Sequence, residues 1–239
     1  EELAVQMPIV KEVLDALGIV RCELAGYEAD DLLGTISRRA NENGDECVIL
    51  TGDRDSLQLV GGGTVVRLVK SALGKTTYTS YTPEKFREEY GFDPIRLIDF
   101  KALMGDSSDN IPGVKGVGEK GARQLLADFG TLDGIYEHID DERIKKGVRT
   151  KLQADEQGAR DSYWLATIDR NVPLELDVAH LPEQKIDREA LYSLLTRLEF
   201  DQFIRKLGLT EGGEAAAPRL PALERCTIAS AFEAFGLID

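Results

Sequence analysis

Seven acidic residues fall in three short groups: Glu28, Asp30 and Asp31; Asp53 and Asp55; Asp106 and Asp109. Each group lies where a helix is expected to begin or a strand to end, so the side chains are held while solvent can enter. An oxygen-only donor set, with no His or Cys beside it, selects hard cations, Mg²⁺ or Mn²⁺, over zinc. Seven carboxylates are more than one ion needs. Two ions about 4 Å apart can clamp the attacking and leaving oxygens of a phosphodiester during in-line displacement. Such a centre requires no Ser, Cys or His nucleophile. The first group has a plainer reading, because acids in a first helical turn compensate the helix dipole. Three acids in four positions put a functional role level with that one. For Asp53 and Asp55 the plain reading is a Gly-Asp turn. A shared target is favoured, since side chains two apart in an extended segment point the same way, and open α/β sheets place ligands at the carboxyl ends of their strands.

A glycine-punctuated turn follows Asp109 almost at once: Gly113-Val114-Lys115-Gly116-Val117-Gly118. Gly113, Gly116 and Gly118 allow a tight backbone and close approach of a ligand. Backbone N–H groups of the helix starting at Glu119 can bind a phosphate oxygen. Lys115, Lys120 and Arg123 supply local positive charge. Nothing here reads base edges, so binding to nucleic acid would follow backbone shape rather than sequence. The net charge of −14 over 239 residues argues against a general nucleic-acid surface. It fits either acids on solvated helix faces or carboxylates that converge on divalent ions.

The elements that must position these groups follow from periodicity and punctuation. Residues 3–17 read as a helix, with Pro8 kinking it or marking its start and Gly18 ending it. Ile19–Leu24 reads as a short strand, and a second helix spans Tyr27–Asn43. The apolar run Cys47–Leu50 reads as a buried strand that leads into Asp53 and Asp55. Ser56–Val60 is a short helix. Thr64–Val69 and Thr76–Tyr81 form a hairpin around Ala72-Leu73-Gly74. Thr82-Pro83 and Asp93-Pro94 each start a helix, ended by Gly91 and Gly105. Beyond the glycine turn come helix 119–129, a short helix capped by Thr131, a helix over 156–168 with Trp164 and Leu165 in the core, and an extended 172–178. Asp187 caps a final helix that runs to Leu207. The basic run Lys145, Lys146, Arg149 and Lys151 reads as a solvated face, with DNA contact the minority reading. Cys22, Cys47 and Cys226 show no paired spacing, which fits a reducing compartment without disulfides or zinc. His138 and His180 read as surface residues. Hydrophobic residues make up 42%, enough for a packed core, and no apolar run approaches a membrane span.

Three stretches, in order, carry a resemblance: Gly26-Tyr27-Glu28-Ala29-Asp30-Asp31, Thr51-Gly52-Asp53-Arg54-Asp55, and Gly105-Asp106 through Glu119-Lys120. Together they resemble the 5′-nuclease (5′-3′ exonuclease) domain of bacterial DNA polymerase I, within the flap-endonuclease superfamily. Leu198-Glu199-Phe200 resembles that domain's end. The resemblance implies a PIN-like (Rossmann-like) α/β fold and a helix–three-turn–helix at about 94–129. It divides the chain into the remainder of the nuclease core (1–92), a helical DNA-binding part (93–211), a linker (212–221) and the start of a following domain (222–239), which would be the entry to a polymerase. It implies a cytoplasmic bacterial enzyme that cleaves 5′ flaps, nicked or forked duplexes and RNA primers on DNA, with no membrane partner. Glu28, Asp30 and Asp31 would serve mainly a first divalent ion, and Asp53, Asp55, Asp106 and Asp109 mainly a second. A K⁺ ion in the hairpin would take backbone carbonyls, with Val114 and Val117 as candidates. The family's first strand, with a metal-ligand Asp, a second Asp and a basic arch, would precede Glu1. The chain by itself is therefore expected to hold an incomplete first site, to lack an arch and to cut poorly. Gly121 stands where the family often has Thr, and Arg54 where Lys is usual. Two other readings compete: a non-cutting duplex-binding module built on the glycine turn, and a PIN-type ribonuclease, against which that turn argues.

Overall fold

The structure, a computed structural model, describes residues 2–72 and 75–212. The hairpin tip at Leu73 and Gly74, Cys226, and nearly all of the expected linker and following segment lie outside the described residues. In chain order the elements are α1 (Glu2–Ala16), α2 (Ala29–Glu42), β1 (Cys47–Thr51), β2 (Thr64–Ala72), β3 (Lys75–Tyr81), α3 (Pro83–Tyr90), α4 (Leu97–Met104) and α5 (Glu119–Phe129). They continue with α6 (Leu132–Glu137), α7 (Lys146–Ala154), α8 (Glu156–Ala166), α9 (Arg188–Arg197) and α10 (Asp201–Lys206). Short 3-10 turns at Asp55–Leu59 and Pro94–Arg96 precede β2 and α4. The described residues form two compact units, one made of 28–69 and 78–173, the other drawn from 2–27, 70–72, 75–77 and 174–212.

In the first unit, β1 pairs in parallel with β2, Cys47 opposite Thr64 and Thr51 opposite Leu68. The order of the three-stranded sheet is β1-β2-β3. A parallel pair needs a crossover, and the 3-10 turn after β1 supplies it, burying Leu57 and Leu59. Asp53 and Asp55 therefore stand just past the carboxyl end of β1. Helix α2 is held from the side by residues 166–172. Arg38 Nε donates to Arg170 O at 2.8 Å and Val172 N to Thr35 Oγ1 at 3.0 Å, while Ile168 N bonds Gln58 Oε1 of the neighbouring 3-10 turn at 3.1 Å. A Cβ on Gly34 would lie 2.8 Å from Ile168 Cγ2, so only glycine lets this segment lie so close.

Helix α4 is the axis of the helical part of this unit. Its residues from Leu97 to Leu103 are all buried, including Asp99 and Lys101. Asp99 accepts Leu132 N at 2.8 Å and Arg96 at 3.2 Å, which satisfies its buried charge. Helix α8 packs on α4 through its small residues Ala159, Ser162 and Ala166, all buried. That spacing turns the opposite face outward. Trp164 is 76% exposed and Leu165 53%, so the expectation that they fill the core is wrong.

The second unit has its own core of Ala16, Leu17, Leu191, Leu195, Leu207 and Leu209. Asp187 caps α9 by accepting Ala190 N at 2.9 Å. The single final helix expected from the Leu pattern breaks in two, because Glu199 takes a left-handed φ of 58°. The expected strand at 19–24 is a loop. Arg21 there folds back onto Asp15 at 2.7 Å and Glu23 at 3.1 Å, and the segment forms no β ladder among the described residues. Pro8 lies inside α1 rather than at its start.

Candidate metal centre and glycine hairpin

Three of the seven acids converge. Asp55, Asp106 and Asp109 each offer a carboxylate oxygen, all within 4.8 Å of one another. Asp55 comes from the end of β1, and the other two from the loop after α4. At that spacing and an effective dielectric of 20, each pair of carboxylates repels by about 3 kcal/mol, a large share of the stability of an ordinary domain. A cation is required, and Lys101 on α4 is one. Its ammonium pairs with Asp55, with Asp106 Oδ2 at 2.7 Å and with Asp109 Oδ2 at 3.6 Å. Three carboxylates against one ammonium leave two negative charges, which suits a divalent ion. Burial pushes the Asp55 carboxyl up against the pull of Lys101. For Asp106 burial also acts upward, but hydrogen bonds from Lys101 and Ser108 outweigh it and bring the group down to about 2.

The loop carrying Asp106 and Asp109 is closed by a two-bond bridge. Asp106 N donates to Ile111 O, and Ile111 N to Asp106 O, both at 2.8 Å. Asp106 Oδ1 accepts Ser108 N at 2.9 Å and the Ser108 hydroxyl. The carboxylate therefore has one oxygen held by its own loop and the other turned to Lys101.

The remaining four acids are placed differently. Asp30, half-buried at the start of α2, takes a hydrogen bond from Ser56 Oγ at 3.3 Å. Burial pushes its carboxyl up, and the charges of Asp53, Asp55 and Glu28 add to that rise. It thus faces the same acidic region. Asp53 is exposed, and the backbone from it to Asp55 is a turn rather than the extended segment the spacing suggests. Its Oδ1 instead accepts Asp55 N at 2.9 Å, turning the chain into the 3-10 helix. Glu28 is the N-cap residue of α2. Asp31 is a tether: one oxygen accepts Glu28 N at 3.2 Å and the other Asp169 N at 2.9 Å. Each of its oxygens thus takes one backbone bond, which ties the start of α2 to residue 169.

The hairpin is anchored to α4 and α8. Val114 N donates to Leu103 O at 2.9 Å, and Gly113 N to Ser162 Oγ at 3.0 Å. Val117 N donates to Val114 O at 3.0 Å. Gly118 is the N-cap of α5, and Lys115 and Lys120 are exposed. Arg123 is spent internally. It pairs with Glu119 at 3.0 Å, donates to Tyr90 O, and lies over the rings of Tyr90, Phe92 and Phe100. Two lysines that matter here were not singled out for these roles from sequence. Lys101 could have been, because a lone cation within Leu97–Met104, a stretch otherwise nearly all apolar, must find acids when buried. Lys151 reads as part of a solvated run, yet its Nζ donates to Gly116 O at 2.8 Å across the hairpin.

The depressed carboxyl of Asp106 sets a pH dependence. A carboxylate held below its unfolded value stabilises the fold above about pH 4 and loses that contribution as pH falls through its folded value. In chelator, the stability gap between the wild-type chain and Asp106→Asn should be level above pH 5 and close between pH 4 and pH 2. Urea unfolding across that range checks it.

A strand that leads into an acidic cluster, beside a glycine hairpin between two helices, is an α/β arrangement suited to a divalent ion and a phosphate backbone. The match to known proteins is specific. Residues 1–91 match the N-terminal resolvase-like domain of 5′-3′ exonucleases, and residues 92–189 match their C-terminal SAM fold. The chain belongs to the 5′-3′ exonuclease family, a family of metal-dependent hydrolases. It is 43% identical over 211 residues to DNA polymerase I of Caldicellulosiruptor bescii, covering 88% of this chain and 25% of that protein. To DNA polymerase I of Bacillus subtilis it is 42% identical, covering 87% and 23%. The chain thus spans about a quarter of the length of these relatives. Among solved structures, the catalytic core of Rad2 in complex with DNA superposes with a TM-score of 0.56 at 18% identity, covering 84% of this chain and 67% of that one. The bacteriophage T5 D15 flap endonuclease, in a complex with DNA and metal ions, superposes at 0.50 and 25%, covering 62% and 51%.

Proposed function

We propose that this chain is the 5′-nuclease part of a DNA polymerase I-like protein, hydrolysing phosphodiesters at 5′ flaps and 5′ ends of DNA with Mg²⁺ or Mn²⁺. The observation that carries this reading is the convergence of Asp55 with Asp106 and Asp109, the latter two on a loop that runs directly into the anchored hairpin. The donor set is oxygen only, which fits hard divalent ions. A bound ion would supply Lewis-acid polarisation of the phosphoryl group and an activated water. The chain's own residues do the placing. Asp55, Asp106 and Asp109 would hold the second ion, with Asp53 beside them, while Asp30 and Glu28 would face the first. Asp31 would act mainly by fixing the start of α2.

On the same reading the hairpin grips duplex backbone through the N–H groups at the start of α5 and through Lys115 and Lys120. Arg123 would support the hairpin from beneath rather than touch DNA. A K⁺ ion would take the carbonyls of Val114 and Val117; the Val114 oxygen keeps a free lone pair beside its bond from Val117 N. The T5 relative, crystallised with DNA and metal ions, supports both halves of the proposal.

The test is a labelled 5′-flap duplex given to the protein that carries this chain, with Mg²⁺ or with EDTA. Metal-dependent release of the flap is expected. Binding that persists in EDTA, with no cutting under any metal, would leave only a duplex-binding module. Lys115→Ala and Lys120→Ala should each weaken binding on any sequence and flatten the slope of log affinity against log salt by about 1. Fluorescence anisotropy at several salt concentrations reads this, and an unchanged slope would remove these lysines from the interface.

A further inference from the structure

Lys101 is not used by the proposed chemistry, yet it sits where the three carboxylates meet. Its side chain leaves a fully packed helix between Phe100 and Ala102 and is 7% exposed. An ammonium has three N–H donors, and here it hydrogen-bonds to Asp55, lies 2.7 Å from Asp106 Oδ2 and pairs at 3.6 Å with Asp109 Oδ2. The same three residues each offer a carboxylate oxygen within 4.8 Å of the others. A cluster of that size encloses one cation-sized position. A divalent ion and an ammonium placed there together would repel at contact distance in a poorly solvated setting.

We propose that Lys101 is a tethered counter-ion that competes with the divalent ion for Asp55, Asp106 and Asp109, so that metal binding at this cluster requires its ammonium to withdraw. The inference rests on the metal-dependent reading above and adds a positioning residue to it. Lysine suits the role because its charge is compact and its four-carbon stem has alternative rotamers. The cluster is held together when metal is scarce, and its affinity for metal is set below what the bare carboxylates would give. Removing the charge should therefore tighten metal binding while weakening the metal-free fold, two effects of opposite sign that a merely structural lysine would not produce.

The experiment is a Mn²⁺ titration of the full chain by calorimetry and electron paramagnetic resonance, comparing wild type, Lys101→Met and Lys101→Arg. Lys101→Met should bind Mn²⁺ about tenfold tighter, equivalent to about 1.4 kcal/mol. Its melting temperature should fall in EDTA and recover on adding Mn²⁺. Lys101→Arg, which keeps the charge, should show no gain in affinity. Equal or weaker binding by a folded Lys101→Met overturns the inference and leaves the metal reading intact, whereas no Mn²⁺ binding by wild type or variants overturns both. If Lys101→Met does not fold, the wild-type chain decides alone. The ¹⁵N resonance of the Lys101 ammonium should lose its ion-paired signature at saturating Mg²⁺, and a signature unchanged from the metal-free state overturns the inference.

Discussion

Asp106→Ala in the protein that carries this chain is expected to lower 5′-flap cleavage by about three orders of magnitude while duplex binding survives. The size follows from the several kcal/mol that a bound ion contributes to phosphoryl chemistry. Asp106 has one oxygen pinned by Ser108 and the other aimed at the point shared with Asp55 and Asp109, so removing it opens the cluster on one side. Single-turnover cleavage in Mg²⁺, set against anisotropy binding in EDTA, separates the two quantities. Loss of both together would make Asp106 a structural residue. Asp31→Ala should behave in the reverse sense, with a fall in thermal stability, because two backbone N–H bonds, one of them 138 positions away in sequence, depend on it.

The second large effect is conformational. Gly113→Ala should destabilise the fold by about 3 kcal/mol or more, a drop in Tm of about 10 °C. Gly113 has φ +61°, and a Cβ there would meet Gly105 N and come within 2.7 Å of Gly105 Cα. Both are backbone atoms, at the end of α4, and cannot swing away. The substitution would push the hairpin off α4 and strain the bonds from Val114 N to Leu103 O and from Gly113 N to Ser162 Oγ. Gly121→Ala is the matched control. It lies inside α5, where an added Cβ meets only Val117 Cγ1 at 3.7 Å, and it should stabilise by about 0.5–1 kcal/mol through helix propensity. Thermal melts of the two variants give the comparison. A Gly113→Ala chain as stable as wild type would mean the hairpin is not packed as described.

Where local chemistry decides, the sequence was readable. Thr82, Thr131 and Asp187 cap the helices that their neighbours implied, and the apolar run at Cys47 became a parallel strand that delivers Asp55 to the cluster. Where a residue's fate depends on distant partners, it was not. Trp164 looked like a core residue by size, but α8 packs on α4 through Ala159, Ser162 and Ala166, and small residues give no hydrophobic signal. Asp53 and Asp55 looked alike at a spacing of two, until the Asx turn on Asp53 separated them. Three acids at the start of α2 look equivalent in sequence; a bond from Asp169 N, more than a hundred positions away, singles out Asp31. Lys101 was hidden for the same reason, since its partners come from two separate segments of chain.

The loop between α4 and α5 has one further consequence. It is short, it is closed on itself by the Asp106–Ile111 bridge, and Val114 N ties its far end to Leu103 O of α4. Asp106 and Lys115 are nine residues apart along this rigid turn. On the proposed function, the place where the duplex is gripped and the place where the phosphodiester is cut are therefore fixed relative to each other by covalent structure. The loop acts as a ruler, and a one-residue insertion between Asn110 and Ile111 should shift where the strand is cut rather than simply slow the cutting.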